Sequence, residues 1–156
     1  FSTVGNGILL AGGETMEIIF LTRDVSTNTT TRMGFHDANT ITTPVDGFWI
    51  NINGTTLDGR TANNSTSSTT GTNYTVADET YYRAKVYLNS DATLATFELY
   101  NEAGTLLWSN TLSTNIPTAA NRETGSAVIS TNAGTVATTL LGLDYMSFYI
   151  DRDLTR

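Results

Sequence analysis

The only imidazole in the 156 residues, His36, sits beside Asp37 and shortly before Asp46. Such a set could hold a cation or act as a base. Asp37, Asn39 and Asp46 form the nearest cluster of oxygen donors for a hard ion such as Ca2+, which takes carboxylates, carbonyls and Asn side chains from loops. The position of His36, opposite the Met33 and Phe35 side of its segment, equally fits a solvent-facing or locally hydrogen-bonded ring. Zero cysteine and a single histidine exclude thiolate chemistry, disulfides and zinc held by several Cys or His ligands. No G-x-S-x-G nucleophile turn occurs. Glycoside hydrolysis needs two acids flanking the scissile bond. Glu14 and Glu17 are three apart, so a strand sends them to opposite faces, and Glu98 and Glu102 straddle a strand end and a turn. The chain therefore reads as non-enzymatic and without a cofactor, structural Ca2+ being the one ion its loops would suit.

Aromatic residues offer a different chemistry. Trp49 and Tyr87 fall opposite the apolar side of their segments, where an exposed ring can stack on a sugar while Asn or Asp side chains bond its hydroxyls. Trp49, Asn51 and Tyr87 are accordingly the candidate glycan-binding set. The competing reading puts Trp49 in the core or at a subunit contact.

The elements that must position these groups are strands. Thr makes up 31 of the residues against two prolines, and its branched Cβ suits a pleated, half-solvated face. Met16, Ile18 and Phe20 alternate with polar or outward residues, as do Phe48, Ile50 and Ile52. Asn53-Gly54 is the strongest hairpin-turn signal. Tyr82, Ala84, Val86 and Leu88 alternate against Arg83, Lys85, Tyr87 and Asn89. The span from Tyr82 to Trp108 reads as a three-stranded antiparallel meander. Leu57–Thr75 lacks a sustained apolar pattern and reads as loop with one short polar strand; its Thr-rich part could serve as a recognition loop. Thr111–Thr124 reads as irregular, Ala127–Ile129 as a short strand, Asn132–Gly134 as a turn and Val136–Leu141 as a strand. Met146, Phe148 and Ile150 share one face of the last strand, with Tyr145, Ser147 and Tyr149 on the other. Eight to twelve strands without a βαβ pattern predict an all-β, two-sheet antiparallel β-sandwich.

Length allows one domain, expected to span 1–156 and to be a fragment of, or attached to, a larger protein. A net charge of −7 with one lysine, Lys85, argues against nucleic acid. No apolar run is long enough to insert in a membrane as a helix.

Several strings together carry a resemblance: Arg32-Met33-Gly34-Phe35-His36-Asp37, Pro44-Val45-Asp46-Gly47-Phe48-Trp49-Ile50, Tyr81-Tyr82-Arg83-Ala84-Lys85-Val86, Phe97-Glu98-Leu99-Tyr100-Asn101, Asn115-Ile116-Pro117 and Leu143-Asp144-Tyr145-Met146. The series resembles the concanavalin-like jelly-roll domains in tail fibres, head fibres and other appendages of tailed bacteriophages. The resemblance implies a virion structural protein at the particle surface, a homo-oligomer and often a trimer, contacting other virion proteins and binding host surface polysaccharide. It implies no catalysis, since the Glu-x-Asp-x-x-Glu motif of the hydrolytic concanavalin-like members is absent. The rival expectations are a capsid decoration or assembly protein without a glycan site, and a carbohydrate-binding module or glycoside hydrolase. Solution mass and the presence of a sugar groove separate them.

Overall fold

In the computed structural model, residues 7–23, 25, 28–38, 42–132 and 141–151 are described. Alternation builds β2 (Glu14–Thr22), β8 (Tyr81–Leu88) and β9 (Ala95–Asn101), whose every second side chain is buried: Met16, Ile18 and Phe20, then Ala84, Val86 and Leu88, then Ala95, Phe97 and Leu99. With β10 (Leu106–Leu112) and β12 (Leu141–Ile150) they form a five-stranded antiparallel sheet ordered β10-β9-β8-β2-β12.

The second sheet contains β1 (Ile8–Leu9), β3 (Thr29–His36), β4 (Gly47–Asn53), β5 (Thr56–Asn63), β6 (Thr66–Thr69), β7 (Tyr74–Thr75) and β11 (Glu123–Asn132). It runs β1-β11-β3-β4-β5-β6, with β7 also paired to β5. The two inner faces meet in one core of Phe20, Phe35, Phe48, Phe97, Met16, Met33, Ile50, Leu57 and Leu99. The rings of Phe35 and Phe48 stack across β3 and β4 with centroids 5.1 Å apart. The domain is an all-β, two-sheet antiparallel sandwich with a concanavalin-like jelly-roll fold.

The Asn53-Gly54 turn forms as the sequence predicts: β4 and β5 pair from Gly47↔Ala62 to Asn53↔Thr56. Three assignments need correction. Leu57–Thr75 is not mainly loop but supplies most of β5, all of β6 and β7; its Thr and Ser side chains occupy a short edge strand, where hydroxyls tolerate water. The strand around Ala127–Ile129 is much longer than apolar pattern alone shows, because β11 pairs with β3 through Thr and Ser as well. Thr111–Thr124 is irregular only in part, ending in a short 3-10 turn, Ala119–Arg122, and the start of β11. The expected Val136–Leu141 strand, and the turn before it apart from Asn132, lie outside the described residues except for Leu141, the first residue of β12.

Candidate functional site

Register places Trp49 and Asn51 on the outer face of the larger sheet. Trp49 lies between Gly34 of β3 and Arg60 of β5, while Asn51 lies between Arg32 and Asp58. His36 is on the same face, with its ring edge-on to the Trp49 indole at 6.0 Å. The local sequence explains the arrangement. A Cβ on Gly34 would stand 2.5 Å from the Phe48 carbonyl oxygen and 2.6 Å from the Trp49 Cα, so glycine lets β3 and β4 close behind the indole. Gly59 points inward, where a Cβ would lie 2.4 Å from the Phe97 ring; the Asp58-Gly59-Arg60 string thereby sends Asp58 and Arg60 together to the outer face. There Arg60 grips Asp58 with two hydrogen bonds, Nε to Oδ1 at 2.7 Å and Nη2 to Oδ2 at 3.0 Å.

The expectation that Trp49 and Asn51 are open to solvent is corrected: they are 1% and 2% exposed. Arg32 Nη1 donates to the Thr42 carbonyl at 2.7 Å, and Pro44 is buried. Alternation gives the side of the sheet a residue faces, but not whether that side is covered.

The enclosed groups are incompletely satisfied. Among the described residues, four buried polar atoms have no hydrogen-bond partner: His36 Nδ1 and Nε2, Trp49 Nε1 and Asn51 Nδ2. Burial, reinforced by the positive charge of Arg32, lowers the His36 pKa to about 4. The Ala38 backbone and Asp37 oppose that shift, yet no hydrogen bond of full geometry reaches either ring nitrogen. The ring is therefore neutral at pH 7. Arg32 is itself lowered from its ordinary value, first by burial and then by the charge of Arg60. Buried polar groups are nearly always paired, so a concentration of orphans on one face asks for an explanation.

The third glycan candidate, Tyr87, is on the opposite side of the molecule, on the outer face of the five-stranded sheet. There the polar groups are engaged with one another. Glu98 accepts from the hydroxyls of Tyr100 at 2.8 Å and Tyr87 at 3.4 Å, Lys85 lies over the Tyr87 ring, and Arg83 stacks on Tyr100 at 4.2 Å while reaching Glu17 at 3.5 Å. Desolvation and then the Glu98 hydrogen bond push the Tyr100 hydroxyl up to about 12. Trp49 and Tyr87 cannot share one ligand.

The metal candidates Asp37 and Asp46 are loop ties. Asp37 Oδ1 accepts from the backbone N–H groups of Val45 and Asp46 at 3.0 and 3.2 Å, and Asp46 Oδ1 accepts from Asn64 N–H at 2.6 Å. Asn39 lies outside the described residues, and among the described residues no three His, Cys, Asp or Glu side chains converge to hold a metal. Sequence reasoning missed Arg32, Asp58 and Arg60. The Asp-Gly-Arg string was the available signal, hidden because its segment read as a loop.

Residues 1–144 match the model of the SO2946-like family, C-terminal domain. The chain belongs to that family. Among solved structures it is similar to the protein of unknown function SO2946 from Shewanella oneidensis MR-1, at 20% identity and a TM-score of 0.70, covering 88% of this chain and 57% of that one. It is also similar to the carbohydrate binding module CBM66 from Bacillus subtilis, at 13% identity and a TM-score of 0.53 over 88% and 74% of the two chains. Chicken galectin 2 shares the sandwich at 8% identity and a TM-score of 0.52, over 93% and 95%. At these identities the likeness is one of fold. The chain thus spans little more than half the length of SO2946. No curated protein sequence matches it.

Proposed function

We propose that this domain is a non-enzymatic carbohydrate-recognition module whose ligand seats on the outer face of the larger sheet. The observation that carries the reading is the set of four unpartnered polar atoms around Trp49. Indole N–H and amide N–H2 donate, while a neutral imidazole both donates and accepts. Saccharide hydroxyls do both, so a sugar is a ligand class that can satisfy all of them beside an aromatic ring. Access is from the β5–β6 side, where Arg60 is half-exposed and Ser67 and Thr69 are open. Arg60 is the cross-strand neighbour of Trp49 and the side chain that must move aside. The fold shared with CBM66 and galectin 2 supports this reading. So does the engagement of Glu17, Asp58 and Glu98 in ion pairs and hydrogen bonds rather than in a free acid–base pair.

Calorimetric titration with malto-, cello-, xylo- and laminari-hexaose tests it. At least one sugar should bind the wild type, and His36→Phe and Asn51→Val should each weaken that binding by at least tenfold. Equal affinity in both variants would contradict the site.

The finer role, a surface appendage of a tailed-phage particle that reaches host polysaccharide as a homo-oligomer, rests on the resemblance of the strand and turn strings. Four of the eight exposed large hydrophobics among the described residues lie on the edge strand β12, namely Leu143, Tyr145, Phe148 and Tyr149, and this favours self-association. Light scattering over a wide concentration range should return a persistent oligomer; a strict monomer would remove that part of the reading.

A further inference from the structure

A cavity opens on the other side of the molecule, away from the Trp49 face. It has a volume of about 640 Å3, within the range of small-molecule sites, and lies at one end of the five-stranded sheet. Tyr81 and Arg83 of β8, Ile19 of β2, the β9–β10 turn from Asn101 to Gly104, and Asp144 of β12 line it. A shallower depression continues it past Tyr81 to Glu79 and Thr80.

Three features make this a built surface. The register of β12 against β2 slips between Leu143 and Tyr145, so Asp144 is the extra residue of a bulge, and a bulge re-aims a side chain that regular pairing would direct elsewhere. The β9–β10 turn is tied at both ends. Gly104 N–H donates to the Asn101 carbonyl at 2.9 Å, Asn101 N–H to the Thr105 carbonyl at 3.0 Å, and Thr105 N–H to Asn101 Oδ1 at 2.8 Å. Tyr81, finally, is 43% exposed, a ring left standing in a polar surround.

The charges narrow the ligand. Arg83, the cation in the lining, is taken up by Glu17 at 3.5 Å and by the Tyr100 ring. Arg23, near the shallower end, pairs with Glu79 at 3.4 Å. Left to face the cavity are the Tyr81 ring and hydroxyl, the Asn101 amide nitrogen, and the carboxylates of Glu102 and Asp144. An aromatic platform, an amide donor and carboxylate acceptors suit the apolar face and the hydroxyls of a sugar ring, while the unneutralised acids repel uronates and sulfated sugars. We infer that this cavity is a second glycan subsite, selective for uncharged pyranose units, stacking them on Tyr81 and holding their hydroxyls through Asn101, Glu102 and Asp144. It extends the carbohydrate-recognition reading but uses none of the residues on the Trp49 face. A chain with subsites on opposite faces would bridge two saccharide strands and gain avidity from a repetitive polymer.

Backbone amide NMR shifts during titration with cello-, malto- and laminari-hexaose locate the site, with polygalacturonate as the acidic probe. The expected result is movement at Tyr81, Asn101–Gly104 and Asp144 with at least one neutral sugar and none there with polygalacturonate. Tyr81→Ala and the paired change Glu102→Gln with Asp144→Asn should each weaken these shifts at least tenfold. Asn51→Val should leave them intact, so failure of the Trp49 site and failure of this one are read separately. Tyr81, Glu102 and Asp144 are all exposed, which keeps the variants at this cavity folded. Absence of shifts at these amides with every neutral sugar would overturn the inference, as would affinity unchanged in both variants. Release of reducing ends by the wild type would overturn it too, making Glu102 and Asp144 a hydrolytic pair instead of a binding one.

Discussion

The outer faces of the two sheets are built from similar residue types and arrive at opposite states. On the five-stranded sheet, Glu17, Lys85, Glu98, Arg83, Tyr87 and Tyr100 satisfy one another through ion pairs, ring contacts and hydroxyl bonds. On the larger sheet, Asp58 and Arg60 are paired, but the neighbouring His36, Trp49 and Asn51 are buried with unmet polar atoms. A solvated surface loses little when its groups pair imperfectly, because water completes the bonds. An enclosed face has no such recourse, and each orphan costs about 1–3 kcal/mol. The difference identifies the Trp49 face as a place where stability is given up.

The largest effect should come from closing the space behind the indole. Gly34→Val drives a branched side chain into the backbone of β4 and should cost more than about 3 kcal/mol or prevent folding. Denaturant unfolding measures it; tolerance of Val would mean that β3 and β4 separate easily there.

Next comes pH. The folded pKa of His36, about 4, lies below its ordinary 6.5, so the unfolded chain takes the proton first. Stability is fully present above pH 6.5 and is lost as pH falls toward 4, by on the order of 3 kcal/mol in total. Unfolding measured across that window should show a slope in the wild type that flattens in His36→Gln; parallel curves would place the titrating group elsewhere.

A smaller change has the opposite sign. Asn51→Val removes an unpaired buried amide on a strand that favours β-branched residues, and should raise stability by about 1 kcal/mol while weakening sugar binding. A loss of stability would show that the amide is paired in solution. The smallest effect belongs to the satisfied face: Lys85→Ala should change stability by less than about 0.5 kcal/mol in thermal unfolding.

The sequence carried the sandwich well because the core writes itself in period-two runs. Met16, Ile18 and Phe20, and Ala84, Val86 and Leu88, need nothing beyond alternation to be placed. The site was legible only by halves. Alternation put Trp49 and Asn51 on the outer face, but their burial, at 1% and 2% exposure, depends on what packs over that face, which no local pattern encodes. Asp58 and Arg60 were missed because β5 has Gly59 where an apolar residue would mark a strand; Gly59 is there because Phe97, from the other sheet, occupies the volume. Tyr87 was grouped with Trp49 because both read as outward aromatics. Sequence alone does not say that they belong to different sheets.

The most direct test of the account follows the two indole N–H signals by NMR during titration with the sugar that binds best. Trp108 Nε1 already donates to the Thr72 carbonyl at 3.2 Å, whereas Trp49 Nε1 has no partner. The Trp49 signal should move as a hydroxyl accepts its proton, and the Trp108 signal should stay. Binding that leaves the Trp49 signal in place would mean that its face is not the recognition site.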